Sequence, residues 1–315
     1  MEQRQLGKSG LAIAPLAFGG NVFGWTADEA TSFKLLDAFV AGGFNFIDTA
    51  DVYSRWHPGN QGGESEVIIG KWLKARGNRA KVVIGNKVGI EMPAGGKGLS
   101  KAWISEEVEH SLRRLQTDYI DLYMSHRDDP DTPQEETLET YAGLVKAGKV
   151  RAIGASNFTA ARLKAALGLA AKHGLPRYES LQPNYSIMER GEFEGDLEAL
   201  CLKEKIGVIS YYSLASGFLS GKYRSRADVG GKARGARVEK YLDDKGFRVL
   251  AALDDIANRT NATPAQVALA WLIAKPAITA PIASATSVAQ LEEIMKAPAL
   301  KLDAETVAQI DAASQ

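Results

Sequence analysis

Six short apolar runs each end on polar side chains: Asp48, then Asn86 with Lys87, His126, Ser156 with Asn157, Gln182 with Asn184, and Tyr212 with Ser213. One such pairing means little; six in succession imply a functional mouth. An aspartate, a lysine, a histidine and tyrosines make a set for proton transfer. A lysine ammonium beside a phenol favours the phenolate and lowers its pKa toward working pH, which makes a usable acid. An aspartate near the lysine keeps it charged, and a neutral histidine donates a hydrogen bond that orients a carbonyl oxygen. No serine-histidine-acid order and no G-x-S-x-G elbow is present. His57, His110, His126 and His173 are scattered, none paired at metal-ligand spacing. The single cysteine, Cys201, excludes a disulfide within the chain and a thiolate metal cluster. Set among Leu197, Leu200 and Leu202, it reads as a small buried apolar residue.

Residues so far apart meet only if the apolar runs are strands of one sheet. Strands are expected over 16–18, 44–47, 82–84, 120–124, 150–154, 180–182, 208–211 and 278–282. Between them, helical periodicity covers 27–41, 65–75, 104–115, 135–147, 160–172, 196–205, 264–274 and 288–295. Gly42, Gly148 and Gly174 stand just past helix ends, and Thr263-Pro264 puts a cap and then proline at a helix start. Eight strands alternating with eight helices, without a linker, predict an α/β fold: a parallel (β/α)8 TIM barrel occupying 1–315 as a single domain. Segment 6–14 is expected to form an N-terminal β-hairpin plug, and 247–259 an extra helix late in the chain. The competing doubly wound sheet lacks its signature. Gly19-Gly20-Asn21-Val22-Phe23-Gly24 does not fit G-x-G-x-x-G, and 217–222 is one residue short of a phosphate loop. In a barrel, reactive groups gather at the C-terminal ends of the strands, where the polar residues above fall.

The 315 residues are 45% hydrophobic and 24% charged with zero net charge, an ordinary globular profile. Nothing global draws such a chain to nucleic acid or to an anionic membrane. Its first five residues, Met1 to Gln5, lack the apolar core of a secretory signal, and no run approaches the ~18 apolar residues of a membrane span. A cytoplasmic protein is expected.

Asp48-Thr49-Ala50-Asp51-Val52-Tyr53 resembles the D-T-A-x-x-Y segment of aldo-keto reductases, and Gly63-Glu64-Ser65-Glu66 follows it as in that family. The resemblance continues through Lys87, Leu115-Gln116-Thr117-Asp118-Tyr119-Ile120-Asp121, His126 and Gly154-Ala155-Ser156-Asn157-Phe158. It then covers Gln182-Pro183-Asn184-Tyr185-Ser186 and Gln290-Leu291-Glu292-Glu293, and looks closest to bacterial branches related to potassium-channel β subunits. It implies a tetrad of Asp48, Tyr53, Lys87 and His126, in which a nicotinamide hydride goes to a carbonyl carbon and Tyr53 gives the oxygen its proton. By the same resemblance Ser156, Asn157 and Gln182 hold the carboxamide and Tyr212 stacks on the nicotinamide. Ser213, Leu214, Lys222 and Arg234 cover the pyrophosphate, while Ser284, Thr286, Gln290 and Glu293 take the adenosine end.

Three positions depart from the family pattern. Asn86 stands where threonine is common, and Ser284 and Gln290 stand where members with the strongest NADPH preference carry lysine and arginine. Lys222, Arg224, Arg226, Lys232, Arg234 and Arg237 offer another source of positive charge, so NADPH is the expected cofactor and NADH is compatible. Gly230, Gly231 and Gly235 suit a loop that closes over a ligand. Trp25 and Trp56 lie in loops over the mouth, either lining a pocket for a small carbonyl substrate or packing a lid. Taken singly, each tetrad member has a plainer reading: a helix cap, a surface lysine, a structural histidine, a surface aromatic. Two other functions fit the same residues: a barrel lyase with Lys87 as Schiff-base nucleophile, and a cofactor-binding regulatory subunit with little turnover.

Overall fold

In the computed structural model, which describes residues 2–93, 95–231 and 234–315, the β-branched and aromatic runs pair side by side into a closed parallel barrel. Met1 and Lys232 lie outside the described residues. A two-stranded hairpin comes first, β1 (Arg4–Gln5) with β2 (Ala12–Ile13). The barrel strands are β3 (Ala17–Gly19), β4 (Phe46–Asp48), β5 (Val83–Val88), β6 (Ile120–Ser125), β7 (Val150–Ser156), β8 (Tyr178–Gln182), β9 (Gly207–Ser210) and β10 (Ile278–Ala283), with β10 closing onto β3. The first six helices alternate with them: α1 (Glu29–Ala41), α2 (Glu64–Arg76), α3 (Lys101–Leu115), α4 (Gln134–Lys146), α5 (Ala160–His173) and α6 (Asp196–Glu204). After β9 come a short α7 (Gly235–Val238), then α8 (Asp244–Thr260) and α9 (Pro264–Ala274); α10 (Val288–Ile294) and α11 (Ala304–Ala313) follow β10. The expected TIM barrel, hairpin plug and late extra helix are all present.

Several boundaries differ from the expected ones for physical reasons. β5 runs on to Val88 because Asn86 and Lys87, polar by type, are fully buried and supplied with partners. β4 starts at Phe46; Phe44 instead stacks on Phe39 of α1, with ring centroids 5.2 Å apart. α3 begins earlier than its apolar periodicity, where the Ser100 side chain accepts from Trp103 N. α11 was not anticipated at all; Asp303 caps it, and it packs mainly on α8.

Strand parity decides what each position does. One set of side chains, including Phe46, Val83, Leu122, Met124, Ala152, Ile209, Ala280 and Ile282, fills the barrel interior, and Leu6 and Ile13 of the hairpin join it as a plug. The alternate set, including Ile47, Ile84, Tyr123, Ile153, Leu181 and Val208, packs outward in the core shared with the helices. Counting on by two along the interior set leads from Phe46 to Asp48, from Val83 to Lys87, from Leu122 to His126, from Ala152 to Ser156 and from Ile282 to Ser284.

Two family-like segments turn out to brace the barrel. Asp121 is buried on β6 and accepts from Arg79 Nη2 at 2.6 Å, Arg151 Nη1 at 2.8 Å and Ile84 N at 2.9 Å. Both guanidiniums lie 3.9 Å from the Tyr119 ring centroid. At the start of α2, Ser65 pairs with Thr49 (2.8 Å), and Glu66 accepts from Asn86 (2.8 Å) and from Arg114 Nε (2.5 Å) of α3. α2 and α3 meet closely at Gly70, where an added Cβ would lie 2.2 Å from Arg114 O. We predict that Gly70→Ala, despite a helix-propensity gain of ~1 kcal/mol, lowers the unfolding free energy by roughly 1–3 kcal/mol. Urea denaturation reads this directly, and an unchanged midpoint would show that the two helices separate without cost.

Candidate active site

The site begins where β4 hands over to its loop. Thr49 N donates to Gly85 O (2.8 Å) and Asp51 N to Lys87 O (3.2 Å), so the chain beyond Asp48 keeps running beside β5. It then turns through Ser54, which has φ +72° and donates its hydroxyl to Phe23 O at 2.6 Å. That turn returns the Tyr53 ring over Lys87. Lys87 Nζ donates to Asp48 Oδ1 at 2.7 Å, to Thr49 O at 2.8 Å and to the Tyr53 hydroxyl at 2.9 Å. The Tyr53 hydroxyl in turn donates to Asp48 Oδ2 at 2.9 Å. His126 completes the group, its ring centroid 6.1 Å from that of Tyr53.

Burial sets the electrostatics. Burial, followed by the Asp48 charge and its hydrogen bond, pushes the Tyr53 phenol well above its usual range. The sequence-based expectation of a lowered phenol pKa is therefore corrected: Asp48 and desolvation hold the proton on Tyr53. Burial also pulls the Lys87 ammonium down, opposed by Asp48. It pulls the His126 imidazole well below 6.5, helped by the positive charges of Lys87, Arg127 and Arg55. His126 is thus neutral at pH 7, as expected of a hydrogen-bond donor to a carbonyl.

Lys87 lies within the barrel and does not line the adjoining cavity; every other expected site residue does, along one cavity of about 850 Å³. That size suits a cofactor with a small partner. Ser156, Asn157 and Gln182 lie on neighbouring strand ends: Ser156 Oγ donates to Gln182 O (2.8 Å), Asn157 Nδ2 to His126 O (2.9 Å), and Gln182 Nε2 to Asp48 Oδ1 (2.8 Å). Tyr212, with φ +53°, keeps 39% of its surface exposed, and its hydroxyl accepts from Arg237 Nη1 at 2.7 Å. Ser213 and Leu214 follow on the same wall, with Lys222 and Arg234 beyond. Arg234 lies 5.6 Å from the Trp25 ring centroid, so the loop after β9 spans the cavity to the loop after β3. At the far end Ser284 Oγ donates to Gly19 O (2.8 Å), Thr286 N to Gln290 Oε1 (3.0 Å), and Glu293 Oε1 accepts from Thr263 Oγ1 (2.8 Å).

Of the basic run, Arg234, Arg237 and Lys222 line the cavity, but Arg224 is drawn away by Asp254 at 2.6 and 2.8 Å, and Arg226 is not on the wall. Trp25 and Trp56 meet edge to face at 5.6 Å over the opposite end, beside Tyr53. Sequence reasoning missed Arg55, Arg127, Tyr211, Val52 and Ile90, which line the same end. For Arg127 a signal was present, since it directly follows His126 at a strand end. No group of three or more His, Cys, Asp or Glu side chains able to hold a metal occurs among the described residues.

The polar cradle of Ser156, Asn157 and Gln182, the exposed Tyr212 ring and the cationic wall fit a dinucleotide with a planar head. A family model described as the Aldo/keto reductase family matches residues 15–315. The uncharacterized oxidoreductase YrpG of Bacillus subtilis is 37% identical, over 97% of this chain and 93% of its own length. Protein tas of Escherichia coli is 33% identical over 100% and 98% of the two chains. A probable voltage-gated potassium channel subunit beta of Arabidopsis thaliana is 34% identical over 94% and 91%.

The depressed His126 pKa carries a stability consequence. The imidazole binds no proton in the folded state until well below 6.5, whereas the unfolded chain binds one near 6.5. The unfolded state therefore takes up more protons, and stability present above that value is lost as pH falls, by up to ~1.4 kcal/mol per pH unit. We predict that His126→Asn flattens the fall in unfolding free energy between pH 7.5 and 5.5, measured in urea. Equal slopes for the two proteins would refute the assignment of a neutral, buried imidazole.

Proposed function

The chain belongs to the aldo/keto reductase family, and on that premise we propose that it is a single-domain cytoplasmic enzyme that reduces aldehydes or ketones with NADPH, Tyr53 being the proton donor. One observation carries the reading: the Tyr53 hydroxyl, on the cavity wall, lies 2.9 Å from both Lys87 Nζ and Asp48 Oδ2. When bound, the nicotinamide supplies a hydride to the carbonyl carbon. The raised phenol pKa keeps Tyr53 protonated at neutral pH, and an alkoxide oxygen is a strong enough base to take that proton. To give it, the hydroxyl turns from Asp48 toward the substrate oxygen, and Lys87 remains hydrogen-bonded to the phenol oxygen as negative charge grows there. His126, neutral, orients the carbonyl. Asp48 keeps Lys87 charged against the desolvation that would otherwise neutralise it.

NADPH rather than NADH is favoured by the cationic wall of Lys222, Arg234 and Arg237, since Ser284 and Gln290 bring no charge to the adenosine end. The regulatory-subunit reading draws on the relative named as a channel β subunit and is separated by turnover. The Schiff-base reading is disfavoured, because Lys87 Nζ already donates to three oxygens and lies off the cavity.

Tyr53→Phe is expected to reduce aldehyde turnover by about 100-fold or more while the affinity for NADPH, read by cofactor fluorescence, stays near wild type. Full turnover in that variant would exclude Tyr53 as the donor. Arg234→Ala is expected to weaken NADPH quenching; identical titrations would remove Arg234 from the cofactor site.

A further inference from the structure

Beyond the cofactor wall, the opposite end of the cavity has a charge pattern that general carbonyl reduction does not require. Val52, Ile90, Trp25 and Trp56 form an apolar, largely aromatic surface next to Tyr53, and Trp56 leaves 42% of its surface exposed. Two arginines, Arg55 and Arg127, line the same end. Among the described residues only two carboxylates line the cavity: Asp48, paired with Lys87, and Glu293 at the far end. Arg127 is followed by two aspartates, yet neither answers it. Asp128 is held by Arg162 at 2.7 and 2.9 Å, and Asp129 accepts from Leu99 N and Thr132 Oγ1, each at 2.7 Å. Arg127 makes no hydrogen bond or ion pair with any described residue. Arg55 donates to the backbone carbonyl of Glu91, which positions it without neutralising it. Arg127 directly follows His126 and Arg55 stands two residues after Tyr53, and all four line the cavity; both positive charges are also felt at the His126 ring.

We infer that the substrate is an anionic carbonyl compound: an aldehyde or ketone with a planar apolar body against Trp25 and Trp56 and a carboxylate, remote from the carbonyl, held by Arg127 and Arg55. The inference rests on the reductase reading above and narrows it. A guanidinium pairs with a carboxylate through charge-assisted, often bidentate hydrogen bonds. The same two charges repel a cationic substrate from the mouth. Because both arginines are at the rim, the anion is bound outermost and the carbonyl innermost, next to Tyr53 and His126.

The test compares 4-carboxybenzaldehyde with methyl 4-formylbenzoate, which match in ring and carbonyl but differ in charge. The acid is expected to show a kcat/KM at least tenfold above the ester, mostly through KM, with the gap narrowing as salt is raised. In Arg127→Met the acid-to-ester ratio falls toward one. An ester reduced as well as the acid by the wild type overturns the inference and leaves the reductase reading standing, as does a ratio unmoved in both Arg127→Met and Arg55→Met. If neither compound is reduced, the reductase reading fails, and titration of tryptophan fluorescence with 4-carboxybenzaldehyde decides the anion site separately. Binding about tenfold weaker in Arg127→Met sustains the site; equal binding overturns it.

Discussion

A charged ammonium held inside a barrel is the constraint around which the rest of this structure is arranged. Lys87 has no exposed surface, and burying an ammonium in a low-dielectric interior costs several kcal/mol unless it is paired and hydrogen-bonded. Asp48 Oδ1, Thr49 O and the Tyr53 hydroxyl together meet all three of its protons. Each depends on something further out. Asp48 is also fixed by Gln182 from across the barrel, Thr49 by Ser65 at the start of α2, and Tyr53 by the turn at Ser54. The hydrogen bonds of Asp48, Thr49, Ser54 and Ser65 thus tie the loop after β4 and the start of α2 to the lysine on β5.

The same buried pair explains what could and could not be read from the residues alone. Asp48, Lys87 and His126 were legible as polar ends of apolar runs, and barrel geometry supplied the reason for their meeting. The length of β5 was not legible, because Asn86 and Lys87 look like a loop until their partners Glu66 and Asp48 are known to be buried beside them. The direction of the Tyr53 pKa was misread for a related reason. The chain order shows a lysine that could sit beside a phenol, but not the desolvation or the carboxylate on the phenol's other side. α11 escaped because its apolar stripe is thin; only Ile310 is buried within it. Arg55 and Arg127 sit among ordinary surface charges in the chain, and only the cavity gives them a common direction.

The two ends of the cavity are built from different parts of the barrel. The far end uses hydroxyls, amides and a glutamate from the segment after β10, with cations arching in from the loop after β9. The near end uses aromatic and guanidinium groups from the loops after β3, β4 and β6. Between them, the bonded set of Ser156, Asn157, His126 and Gln182 joins three successive strands. The loop after β9 nevertheless links the two ends, since Arg234 reaches the Trp25 ring at 5.6 Å.

Strand parity extends that division to single residues. Along β4 the side chain of Ile47 packs with the helices while its neighbours Phe46 and Asp48 face the interior, and β5 divides Ile84 from Val83 in the same way. One strand thus carries two separate demands: its outward residues must let the helices dock, and its inward residues must fill the barrel or reach the mouth. A substitution at Ile47 or Ile84 is therefore felt first where the helices dock, and one at Asp48 or Lys87 first at the mouth.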